Sequence, residues 1–128
     1  MLGIRREDPN RERINRNLTL ITAMLEIEKA LSSRNFAVAG RIFNCSVGDI
    51  EKVEDKPILT GRFAEFAEKL GYKIKAAQLY EKAGTDYGPK SISFLNKALN
   101  LFNESGELTD SERVQKKIKF QMGSLRRN

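Results

Sequence analysis

Residues 63–83, FAEFAEKLGYKIKAAQLYEKA, decide the fold. Together with Leu59 just upstream, Phe63, Phe66 and Leu70 recur at the three- and four-residue spacing of a helix, and Gly71 follows as a natural stop. Ile74, Ala76, Ala77, Tyr80 and Ala83 then mark a second, shorter helix, closed by Gly84. A small residue such as Ala76 lets one helix come close to the other, and an aromatic ring four positions on fills the space one turn away. The segment therefore predicts two helices reversed over a glycine turn.

The pattern extends in both directions. Upstream, Asn35-Phe36 precedes Ala39-x3-Phe43, and Ala39 and Ala76 stand 37 positions apart, close to the period of helix-pair repeats. A short helix over 35–45 would turn Phe36, Ala39, Ile42 and Phe43 inward, and VGDIEKVEDK after it reads as an acidic loop or single helical turn ending at Pro57. Asp8-Pro9 reads as an N-cap and first helical position. From there a helix over 9–32 carries one apolar row of Leu18, Ile21 and Leu25 and an adjacent one of Leu20, Met24, Ile27 and Leu31, a face broad enough for more than one neighbour. Downstream, Gly88-Pro89 opens a helix bearing Ile92, Leu95, Ala98, Leu99 and Phe102, with Gly106 beyond it. Thr109-Asp110-Ser111-Glu112 matches a capping box, starting a sixth helix to about Met122 with Val114 and Ile118 inward. No β-branched run alternates long enough for a strand. The expectation is an all-α domain of six helices over 9–122, between basic tails at 1–8 and 123–128.

Through Gly71, Ala76, Tyr80 and Ala83 the middle segment resembles the tetratricopeptide repeat family and its looser helical-hairpin relatives. The first pair, roughly 20–46, matches through Ala39 and Phe43; in the third, Ser111 and Val114 replace the alanine pattern. The resemblance implies three antiparallel hairpins in a short right-handed α-solenoid. It also implies a shallow concave face, built from the first helix of each pair, that holds a peptide or partner helix.

Composition narrows the chemistry. With 128 residues, no histidine and one cysteine, the chain has no Ser-His-Asp or Cys-His pair, no internal disulfide and none of the usual zinc ligand sets. No phosphate-cradling glycine motif is present, and Asp49, Glu51, Glu54 and Asp55 lack the order of a calcium loop. No apolar run suggests a membrane span, and the opening residues carry no apolar signal segment. Cys45, after Phe43, reads as a buried small hydrophobe. The expectation is a cytoplasmic, non-catalytic protein without cofactor or metal, an adaptor for another protein, with self-association as a further possibility.

The net charge of +6 is unevenly spread: residues 111–128 hold +5, residues 1–16 hold +2, and the middle holds −1. Two sets of candidate residues follow. On the polar sides of the first helices, Arg62, Lys69, Asn96 and Asn103 would face a bound protein segment. At the C-terminal end, Arg113, Lys116, Lys117, Lys119, Arg126 and Arg127 would lie along a phosphate backbone, helped by the N-terminal arginines. That alternative makes the chain an RNA- or ribosome-associated protein, with Phe120 a candidate to stack on a base.

Overall fold

The computed structural model describes residues 9–85 and 90–126. Six helices follow one another: α1 (Pro9–Ser32), α2 (Phe36–Lys52), α3 (Pro57–Lys69), α4 (Lys73–Thr85), α5 (Ser91–Glu104) and α6 (Leu108–Arg126). No strand occurs among the described residues, so the chain is all-α. Asp8, Gly88 and Pro89 lie outside the described residues.

Three of the turns close in the same way. After α1, Asn35 N–H donates to Ala30 O at 2.8 Å and Arg34 N–H to Leu31 O at 3.0 Å. After α3, Tyr72 N–H reaches Ala67 O (2.8 Å) and Gly71 N–H reaches Glu68 O (3.1 Å). After α5, Glu107 N–H reaches Phe102 O (2.9 Å) and Gly106 N–H reaches Asn103 O (3.1 Å). These paired bonds satisfy the last carbonyls of each helix and require a left-handed residue between them. That residue is Arg34 (φ 58°), Gly71 (85°) and Gly106 (73°) in turn. Five residues after each stands a small buried side chain: Ala39, Ala76 and Ser111.

The helices pack chiefly on their neighbours in sequence, around one core. Phe43 of α2 meets Phe63 of α3 and Tyr72 of the next turn, with ring centroids 6.2 and 5.7 Å apart. Further along, Tyr80 of α4 stacks on Phe94 of α5 at 6.2 Å. Two helical glycines permit this closeness. A Cβ on Gly61 would stand 2.6 Å from the Phe94 ring, and one on Gly84 would stand 2.7 Å from Leu95 Cγ and 2.8 Å from Ser91 O. Tyr80 donates its phenol proton to Glu68 Oε1 at 2.8 Å; burial, then this bond, raises its pKa well above the ordinary tyrosine value.

Several expectations need revision. The 47–56 stretch is not mainly loop: α2 continues through Lys52, because Phe43, Ser46 and Ile50 share a buried face and Val53 is buried just beyond it. Gly48 does not break the helix; its site is open and the burial of Ile50 holds the turn. Phe36 is exposed rather than inward, and Cys45 is exposed rather than buried. Helix α6 starts at Leu108, one residue before Thr109, because Glu107 O already accepts from Ser111 N–H at 2.9 Å. It also runs on past Met122 to Arg126. Most consequential, the broad apolar face expected on α1 is not buried as a whole. The row of Leu20, Met24, Ile27 and Leu31 faces inward, with Leu20 and Ile27 fully buried, Met24 and Leu31 partly buried against the core, and Ala23 and Ala30 widening that face, while Leu18, Ile21 and Leu25 stay exposed. Only the second row is in the core.

Candidate protein-binding groove

The last turns of α1, the start of α2 and one face of α3 enclose an open groove of about 630 Å³. Its α3 side presents Arg62, Glu65, Phe66 and Lys69, which follow one another at helical spacing and so share a face. Glu28, Leu31 and Ser32 of α1, Arg34 of the turn and Phe36 of α2 complete it. Leu31, Phe66 and the half-exposed Phe36 ring give the groove apolar wall. Arg62 lies 3.4 Å from Glu28 and 3.8 Å from Glu65, long contacts between exposed groups that hold it only loosely. Arg34 and Lys69 have no ion-pair partner among the described residues. The groove thus offers two uncommitted cations beside aromatic and aliphatic surface.

Arg34 is not among the residues that sequence reasoning assigns to the site, yet the chain carries a signal for it. It occupies the left-handed position that Gly71 and Gly106 fill in the other two turns. A side chain there is disfavoured by about 1–2 kcal/mol because its Cβ crowds the following carbonyl. Asp55 holds the same φ of 58°, but of the two it is Arg34 whose side chain lines this groove.

Of the four residues expected on a concave face, the structure brings Arg62 and Lys69 together. Asn96 is exposed on α5, apart from the groove. Asn103 is engaged at the α5–α6 turn, where its Oδ1 accepts from Ser111 Oγ at 2.5 Å.

The basic C-terminal set also divides. Arg113 turns toward α4 and grips Glu81 with two hydrogen bonds, Nε to Oε2 at 2.8 Å and Nη2 to Oε1 at 2.7 Å. Its third nitrogen meets Asp110 at 2.6 Å. Lys117 reaches the same Glu81 at 2.7 Å and Thr85 Oγ1 at 3.2 Å. One turn on, Gln121 donates to Gly84 O at 2.8 Å and accepts from Ser91 Oγ. Burial raises the Glu81 pKa, but the bonds from Arg113 and Lys117 outweigh it and hold the carboxyl below the ordinary glutamate value. The same pairing raises Arg113 above its ordinary value. Arg113 and Lys117 therefore fasten α6 to α4, while Lys116 and Lys119 point to solvent. The side chain of Arg126 and all of Arg5, Arg6 and Arg127 lie outside the described residues.

Among the described residues no three His, Cys, Asp or Glu side chains gather as metal ligands, and no helix is long and apolar enough to cross a membrane. Comparison with protein-family models, curated proteins and solved structures finds no match.

Proposed function

We propose that the chain is a non-catalytic protein–protein interaction module, a three-hairpin adaptor of the tetratricopeptide type that receives a protein segment in the α1–α2–α3 groove. The recurring turn at Arg34, Gly71 and Gly106, each followed by a small buried residue, supports the repeat. Packing of helices chiefly on their sequence neighbours is what a stack of hairpins requires. The observation that carries the reading is Arg34, set at a costly backbone position beside Lys69 and the exposed Phe36 ring. A segment with a carboxylate next to an aromatic or aliphatic side chain fits that surface. The carboxylate meets Arg34 and Lys69, and the apolar group covers Phe36 and Leu31.

A peptide array that varies acidic and apolar content tests this directly, probed with the wild-type chain and with Arg34→Glu/Lys69→Glu. Acidic-apolar peptides should be retained by the wild type, with affinity falling about tenfold or more in the variant. Equal binding by both chains, or no preference for acidic sequences, sinks the proposal. The alternative of a polyanion partner rests on Lys116 and Lys119 in the described part of the C-terminal stretch.

A further inference from the structure

The outward row of α1 carries a second surface. Ile14, Leu18, Ile21 and Leu25 are 57, 58, 42 and 57% exposed, and they recur at intervals of four, three and four residues. This is the spacing of a coiled-coil seam, and it lies opposite the face that α1 gives to the core. Arg11 precedes the row by three residues and Glu28 follows it by three, so the two ends of the seam carry charges of opposite sign. The surrounding polar groups make little demand on water. Thr19 and Thr22 donate their hydroxyls to Asn15 O (2.9 Å) and Leu18 O (3.0 Å) of their own helix.

We infer that this face pairs with a second copy of the chain, the two α1 helices running antiparallel about a two-fold axis between residues 19 and 20. In that register Leu18 opposes Ile21 of the second copy, Ile14 opposes Leu25, and Arg11 opposes Glu28. Every contact is made twice, as an isologous interface requires. The parallel alternative sets Arg11 against Arg11 and Glu28 against Glu28, so the charges select the antiparallel one. Glu28 also lies 3.4 Å from Arg62 at the edge of the groove, with its side chain 36% exposed, so pairing with Arg11 of the second copy competes with that long contact. A single apolar row on each chain places the interface at or below the ~1,200 Å² lower limit of standard interfaces, so the dimer is weak and reversible.

Sedimentation equilibrium across a wide concentration range tests the pairing, with thermal melts as a check that each variant is folded. The wild type should show a monomer–dimer equilibrium, and Leu18→Glu, at an exposed site, should abolish it without lowering the melting temperature. Arg11→Glu and Glu28→Arg should each weaken dimerisation by about tenfold, because each sets like charges opposite one another at both ends. Mixing the two variants, or combining them in one chain, should restore it. A wild type that stays monomeric up to millimolar concentration, a dimer that survives Leu18→Glu, or single charge reversals without effect would each overturn the inference.

Discussion

The first and last helices make an instructive pair. Both are long, both are rich in charge, and each lies at a basic end of the sequence. Yet α1 turns an apolar row out to solvent, while α6 turns Arg113 and Lys117 toward the body of the protein. The difference comes from what stands opposite each face. Glu81 of α4 is largely buried and waits for cations, so the polar groups of α6 have a destination inside. On the outer face of α1, Ile14, Leu18, Ile21 and Leu25 stay 42–58% exposed among the described residues. Residue type alone does not say which side of a helix is the inside.

The largest effect that can break this contrast lies within α1. Leu20→Ala removes a fully buried side chain and should cost about 2–5 kcal/mol in chemical denaturation, whereas Leu18→Ala should stay within about 0.5 kcal/mol when measured on the monomer. Comparable losses at the two positions would mean that the outer row is covered within the chain.

In α6 the corresponding probe is Glu81→Gln, expected to destabilise by about 1–3 kcal/mol at neutral pH, the lower range because Arg113 and Lys117 can still reach water. Its pH dependence follows in sign from the depressed folded-state pKa. The carboxylate's contribution is complete above the ordinary glutamate value of 4.5 and drains away as pH falls below it. The gap in melting temperature between wild type and Glu81→Gln should therefore narrow as pH falls below 4.5; a gap that stays constant on acidification would refute the ion-pair account.

Smaller still is Arg34→Gly. Relief of the left-handed strain should offset the added freedom of glycine in the unfolded chain, leaving stability unchanged or raised by up to about 1 kcal/mol. Affinity for acidic-apolar peptides should fall at the same time, and a variant that gains stability while binding fully would remove Arg34 from the groove's function. Least of all, Lys116→Gln/Lys119→Gln should leave the melting temperature within a degree or so, since both side chains are exposed. A gel shift with RNA at two salt concentrations then reads the polyanion alternative. Binding that is strong in the wild type and lost in this variant would favour that alternative over the peptide groove.

Much of the fold is legible in the order of residues. Helical spacing in 57–83 places α3 and α4 closely, and Gly71 and Gly106 mark two of the three matching turns. The third is harder to read because Arg34 takes a conformation that glycine usually signals. The extension of α2 past Gly48 escapes a local reading. The cost of a helical glycine is local, while the burial of Ile50 that offsets it depends on the packed core. In the site, Arg62 and Lys69 can be found by their shared helix face, but Phe36 and Arg34 join them only where three chain segments converge.

What the sequence determined by itself was periodic and short-range: six helices and no strand over the described residues, the reversals marked by Gly71 and Gly106, and the absence of the residues that the commonest nucleophilic and zinc chemistries need. Those properties follow from steric preference and spacing along one backbone. Tertiary structure decided which of two apolar rows on α1 enters the core and which C-terminal cations reach Glu81 rather than solvent. Both choices are made by what a neighbouring helix brings to within a few ångströms, and the order of residues along a single helix does not carry that information.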